Sequence, residues 1–131
     1  MAVVDCHMQL LPRKGVLAIA AVIDIALNAR GRPVAAKSLE LLAKDFVIEA
    51  VVTKPKPAHH KGEFPVLKLA EKLKLKTFAP ADKKELAKLF TTKPIKSKVG
   101  VVVDYGLIIP QSVIDYFPLG IVNSHFSLLP E

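Results

Sequence analysis

The sequence predicts an α/β fold: an open, mostly parallel sheet with crossover helices, preceded by an N-terminal helix. From residue 38 onward, short helical patterns alternate with short runs rich in β-branched residues, the order that is typical of a parallel sheet. The chain has 131 residues, of which 51% are hydrophobic, and this is enough for one domain with a real core. Cys6 is the single cysteine, which excludes a disulfide framework and a multi-cysteine zinc site.

The N-terminal helix is predicted over residues 17–28, where small and apolar residues repeat at helical spacing before Gly31 and Pro33 end the pattern. The apolar run is shorter than a membrane span, and Asp24 interrupts it. We therefore expect no membrane partner and a cytoplasmic protein. The Val and Ile content of residues 16–23 also permits a strand, so this alternative stays open.

A short amphipathic helix is predicted next, over residues 37–44, and a buried β-branched strand over 46–53. Two prolines follow this strand and require a loop. Pro65 suits the first turn of a further helix, and Asp82 is a suitable N-cap for the next one. The remaining elements are predicted as helix 65–73, strand 76–78, helix 82–90, strand 99–103, helix 111–116 and strand 120–123.

Basic residues are concentrated in the middle of the chain. The formal charge is +7, and residues 54–98 contain thirteen of the nineteen Lys and Arg against four acids. Residues 99–131 contain neither Lys nor Arg. Such a distribution indicates a polyanionic partner for the middle of the chain, although an ordinary solvated lysine surface remains an alternative.

Polar residues follow two of the predicted strands, at the carboxyl ends where open parallel sheets bind ligands. Asp104-Tyr105-Gly106 follows the strand over 99–103, and Asn123-Ser124-His125 follows the last one. Asn123 and His125 point to the same side of an extended chain, so both could address one reacting atom. Alternatively, Asn123 caps a turn and His125 is a satisfied, partly buried histidine. No metal-spaced ligand set is present, so we expect no metal.

Residues 37–131 resemble the amino-terminal catalytic domain of methionyl-tRNA formyltransferases, which has a Rossmann-like open sheet. The matching stretches are KSLELLAK, EAVVTKPKPAHHKG, PVLKLAEKLKL, VGVVVDYGLIIPQSVID and GIVNSHFSLLP. The last of these resembles the formyltransferase motif Asn-x-His-x-Ser-Leu-Leu-Pro. Glycinamide ribonucleotide formyltransferase shares that motif, but the Thr-Lys-Pro-Lys-Pro loop favours the tRNA enzyme.

The resemblance implies transfer of a formyl group from 10-formyltetrahydrofolate to the α-amine of methionyl-tRNA, in translation initiation. It implies that Asn123 and His125 are catalytic and stabilise the oxyanion formed when the amine attacks. The residues implied to bind the folate are Tyr105, Gly106, Leu107, Ile108, Ile109, Pro110 and Ser127. The residues implied to approach the tRNA are Lys54, Lys56, His60 and Lys61.

Three departures from the family pattern are visible in the sequence. The family's first strand, which lies at the centre of its sheet, has no match. Residues 8–37 instead resemble the first helix and turn of a winged-helix regulator of the iron-sulfur-sensing type, without a recognition helix, so DNA is not expected as a partner. The family's catalytic aspartate has no counterpart up to Glu131. We therefore predict a helical segment of foreign character over 1–37 and a partial formyltransferase domain over 38–131.

Two hypotheses follow. The first is a methionyl-tRNA formyltransferase whose site is incomplete or inactive in these 131 residues. The second is a non-catalytic module that binds RNA or another polyanion through its basic middle and forms a homodimer through the N-terminal helix.

Overall fold

The computed structural model describes residues 1–5, 34–59, 61–62 and 64–124, and it contains a five-stranded sheet with helices on both faces. The eight elements predicted beyond residue 37 are confirmed, with ends within three residues. The predicted helix over 17–28 lies outside the described residues. The elements are β1 (Ala2–Asp5), α1 (Val34–Asp45), β2 (Val47–Val52), α2 (Pro65–Lys72), β3 (Lys76–Phe78), α3 (Lys83–Thr92), β4 (Val99–Val103), α4 (Gln111–Ile114) and β5 (Ile121–Ser124).

The strands lie side by side in the order β3-β2-β1-β4-β5. Strands β2 and β3 are parallel, as are β4 and β5, and the central strand β1 runs antiparallel to both of its neighbours. Four strands therefore run in one direction and the central strand runs in the other. The predicted fold class, an open and mostly parallel sheet, is confirmed.

The prediction that the sheet lacks its central strand is wrong. Ala2–Asp5 occupies the centre, with Ala2 opposite Val51 on one side and Val101 on the other. The amino group of Met1 donates a hydrogen bond of 2.7 Å to the Val52 carbonyl, and the Val52 N–H donates one of 2.8 Å to Met1. Residues 2–5 are too few to carry a periodicity that indicates a strand.

Each face of the sheet has its own core. On one face, Leu39 and Leu42 of α1 and Ala70 of α2 pack against β2 and β4. On the other face, the core contains Leu86 and Phe90 of α3 together with the residues Val3, Ala50, Val52, Val102, Val113 and Phe117. Successive side chains of β4 point into the two cores alternately, as the period of two in a strand requires. No helix in the described part of the chain is long and apolar enough to cross a membrane.

Candidate functional site

The carboxyl ends of β2, β3, β4 and β5 meet at one edge of the sheet because these four strands are parallel. At this edge Val102 lies opposite Asn123, and Val103 lies opposite Ser124. The chain segments that follow β4 and β5 therefore begin side by side. Open α/β sheets bind ligands at this edge, so the polar residues predicted here lie where a site is expected.

A sharp turn follows β4. Asp104 and Gly106 both have left-handed backbones, with φ of 46° and 68°. Glycine adopts such angles without steric cost, and Asp is among the side chains that tolerate them. Tyr105, between them, is directed into the core beside α4, where it is 5% exposed. The turn thus buries an aromatic side chain and leaves the backbone on either side of it at the surface.

A cleft of about 690 Å³ opens at the ends of β4 and β5. Its volume lies within the range of small-molecule sites, which is about 300–1,000 Å³. Apolar side chains make up most of its wall, with a few polar groups among them. The lining residues are Val102, Asp104, Tyr105, Gly106, Leu107, Ile108, Ile109, Ile114, Ile121, Asn123 and Ser124.

The hydroxyl of Tyr105 is buried and has no hydrogen-bond partner among the described residues. Desolvation raises the pKa of Tyr105 to about 12, so the hydroxyl remains protonated at physiological pH. An unpaired buried hydroxyl is destabilising unless a ligand or an ordered water accepts or donates a bond. Ser38 and Thr53, which are not part of the cleft lining, also have buried hydroxyls without a partner in the described part of the chain, so this property alone does not indicate a ligand.

The structure brings most of the predicted folate-binding residues together with one of the two catalytic candidates. Tyr105, Gly106, Leu107, Ile108 and Ile109 line the same cleft as Asn123, which is exposed there. Pro110 is not part of the lining and stands at the N-cap of α4. Three other predicted residues, His60, Ser127 and the catalytic candidate His125, lie outside the described residues.

The predicted tRNA-binding lysines lie on the loop that follows β2, and Lys54, Lys56 and Lys61 are all exposed. Lys54 is not part of the cleft lining, but its side chain lies against Gly106, which is. A Cβ atom built on Gly106 would lie 2.9 Å from the Lys54 Cε and still closer to its Nζ. The side chain of Lys54 therefore covers Gly106 at the rim of the cleft.

Sequence reasoning did not assign five of the lining residues to the site. Asp104 and Ser124 were recognised only as neighbours in their motifs, and Ile114 comes from α4, which is separate in sequence. The remaining two are Val102 of β4 and Ile121 of β5. Side chains alternate between the two faces of a strand, and these two lie on the face that packs against α4, so the sequence could have indicated them.

All thirteen lysines of residues 54–98 are exposed, but they do not form one surface. Lys68 and Lys72 belong to α2, whereas Lys83, Lys84 and Lys88 belong to α3 on the other side of the sheet. One flat polyanion therefore cannot contact both groups at once. The loop after β2 is the basic segment that lies at the cleft.

Comparison with known proteins identifies relatives for most of the chain. A family model described as "Formyl transferase" matches residues 30–131. The match includes residues 30–37, which belong to the segment predicted to be of foreign character. It includes every residue of the cleft described above.

Individual relatives are similar over the same region, and each of the following is named methionyl-tRNA formyltransferase. The protein of Solibacter usitatus is 38% identical over 88 residues, which are 64% of this chain and 28% of that protein. The protein of Bifidobacterium animalis subsp. lactis is 39% identical over 107 residues, 75% of this chain and 32% of that protein. For Bradyrhizobium diazoefficiens the identity is 37% over 98 residues, with shares of 71% and 32%. The chain thus spans about a third of the length of these relatives.

Proposed function

This chain belongs to the formyl transferase family, and from that premise we propose that it serves the transfer of a formyl group from 10-formyltetrahydrofolate to the α-amine of methionyl-tRNA. The observation that carries the proposal is the cleft. It joins the Tyr105–Ile109 segment to Asn123, although the two are separate in the sequence. The names of the relatives support the choice of methionyl-tRNA as acceptor.

The cleft fits the proposed donor in its chemistry. A pterin ring is flat and carries hydrogen-bonding groups at its edge. Leu107 and Ile109 would supply apolar contacts, and the backbone of the turn would supply polar ones. When bound, the donor supplies an electrophilic formyl carbon. The residues Tyr105–Ile109 would hold its ring, and Asn123 lines the same cleft.

Asn123 is proposed to stabilise the oxygen of the formyl group during transfer. When the amine attacks the carbon, negative charge develops on this oxygen, and a side-chain amide N–H donates to it without becoming charged. Its position opposite Val102 in a rigid parallel pair limits its backbone movement. His125 is proposed as the second donor, in its protonated form, and its place two residues further along the chain follows from the sequence.

The proposal is tested by measuring formyl transfer from 10-formyltetrahydrofolate to methionyl-tRNA with the 131-residue chain. We expect Asn123→Ala to lower the rate by about 100-fold or more, the loss typical of one oxyanion donor. Ser112→Ala is the matched control, because Ser112 is exposed on α4 and is not part of the cleft lining. A rate for Asn123→Ala equal to that of the control would refute the proposed role.

The second candidate function is a non-catalytic RNA-binding module, which the exposure of all thirteen lysines favours. If this second function is correct, the chain binds tRNA but neither transfers the formyl group nor binds the donor. Each phosphate contact on a single strand contributes roughly −0.7 to the slope of the logarithm of the association constant against the logarithm of the salt concentration. Three contacts, by Lys54, Lys56 and Lys61, therefore predict a slope of about −2. Donor binding in the cleft would argue against a module that binds RNA alone.

A further inference from the structure

Lys54 differs from the other lysines of its loop because its side chain crosses the top of the sheet. It follows β2, whereas Gly106 follows β4, and β1 lies between these two strands. The Cε of Lys54 lies 2.9 Å from the position that a Gly106 Cβ would occupy, and no other heavy atom of the described residues outside the immediate chain neighbours lies within 4 Å of that position. The missing side chain of Gly106 therefore makes the space that the Lys54 ammonium uses.

The ammonium of Lys54 has no acidic partner in the described ranges. The ion pair found there joins Lys37 to Glu40 on α1, far along the chain from the cleft. Lys54 is exposed, so its charge is available to an anionic group that enters the cleft. A lysine of this kind acts as a compact point charge for a carboxylate or a phosphate.

An exposed apolar side chain follows Gly106 by two residues in the chain. Ile108 lines the cleft and is 83% exposed, which is a large exposure for an isoleucine. The rim thus combines an unpaired cation with an apolar surface two residues away from Gly106. This combination suits the end of a ligand that carries an aromatic ring and a carboxylate.

We propose that Lys54 anchors the glutamate carboxylate of the folate donor at the rim of the cleft, with the donor's benzoyl ring beside Ile108. The inference rests on the proposed function, because it assigns the donor to this cleft. A tRNA phosphate would offer the same charge, but it would not use the apolar rim. Lys54 lies against Gly106, which is a residue of the cleft. This position favours the small donor over a tRNA phosphate as the partner of Lys54.

The test compares two ligands and two lysines by calorimetric titration. The ligands are 5-formyltetrahydrofolate and the primary amide of 5-formyltetrahydropteroate, an analogue that lacks the glutamate and carries no carboxylate. We expect Lys54→Met to raise the Kd for the glutamate-containing ligand about fivefold, as for a favourable exposed ion pair, and to leave the Kd for the analogue unchanged. Lys98→Met is the matched control, because Lys98 is an exposed lysine that directly precedes β4, at the end of that strand away from the cleft.

A second pair of variants tests the geometry. Gly106→Ala places a methyl group where the Lys54 ammonium lies, so it should cause the same fivefold loss, and combining it with Lys54→Met should add nothing further. Gly120→Ala is the control for backbone strain, since Gly120 has a φ of 77° but nothing within 4 Å of its Cβ position. Circular dichroism of each variant establishes that it is folded.

Three results would overturn the inference. Equal Kd values for wild type and Lys54→Met would remove Lys54 from donor binding and leave the proposed function intact. A loss of tRNA affinity in Lys54→Met, with donor binding unchanged, would make Lys54 an RNA contact. Failure of the wild-type chain to bind either folate would overturn the proposed donor site itself.

Discussion

The hydroxyl of Tyr105 is buried at the carboxyl edge of the sheet, and no described residue accepts or donates a hydrogen bond to it. Its ring packs with the core residues beside α4, so the side chain cannot turn away to reach solvent. A buried hydroxyl without a partner costs about 1–3 kcal/mol relative to a hydrated one. The hydroxyl, unlike the packed ring, therefore lowers the stability of the fold.

Replacing Tyr105 by Phe tests this reading of the hydroxyl. We expect the free energy of unfolding of the ligand-free chain to stay constant or rise by about 1 kcal/mol, because the variant no longer buries an unpaired polar group. Urea denaturation measures the effect. A clear loss of stability would mean that the hydroxyl is bonded within the protein.

At the scale of elements, Glu49 connects two strands that are not neighbours. It lies on β2, and its carboxylate accepts hydrogen bonds from the N–H groups of Lys96 and Ser97 and from the Ser97 hydroxyl, just before β4. Burial alone would raise the pKa of Glu49, but the hydrogen bonds from Ser97 and Lys96 outweigh burial, and the pKa is lowered. The charged form is thus the one that stabilises the fold.

The stabilising effect of Glu49 should depend on pH. Because the folded pKa is lowered, the contribution is present above the ordinary glutamate pKa of 4.5 and is lost as the pH falls through the lower folded value. At pH 7 we expect Glu49→Gln to lower the free energy of unfolding by about 1 kcal/mol, a value reduced for partial exposure. Urea denaturation at acidic pH should show that the free energies of unfolding of the wild type and of Glu49→Gln become equal. A constant difference would contradict the role of the charge.

For the whole molecule, the positions of the lysines limit where a polyanion could bind, which the net charge alone does not. The basic residues of 54–98 indicate a polyanionic partner, but the sheet separates the lysines of α2 from those of α3. Among the residues that the structure describes, the loop after β2 is the one that brings a positive charge against a residue of the cleft. A substrate that carries both an RNA backbone and a reacting amine would need this combination at one place.

The fold beyond residue 37 could be predicted because each element there has its own period, cap or turn residue. Asp82 shows this, since its side chain accepts hydrogen bonds from Lys84 and Glu85 at the start of α3. The cleft could be predicted in part, since strand ends are visible in the sequence. The contact between Lys54 and Gly106 could not, because it depends on the order of strands in the sheet.

The central strand was missed for a different reason, and its role can be tested. Val3 of β1 is 0% exposed in the core beside α3, although it belongs to a strand of only four residues. Burying a valine contributes about 1.5–3 kcal/mol, so Val3→Ala should lower the free energy of unfolding by about 2 kcal/mol.

Val47→Ala provides the comparison, because Val47 lies on the neighbouring strand β2 and is 64% exposed. Its effect should stay within about 0.5 kcal/mol, as for other surface substitutions. Urea denaturation of both variants measures the difference. Since β1 has hydrogen-bonded neighbours on both sides, its loss would divide the sheet into the pairs β2–β3 and β4–β5. Equal stabilities for the two variants would mean that residues 2–5 do not hold these pairs together.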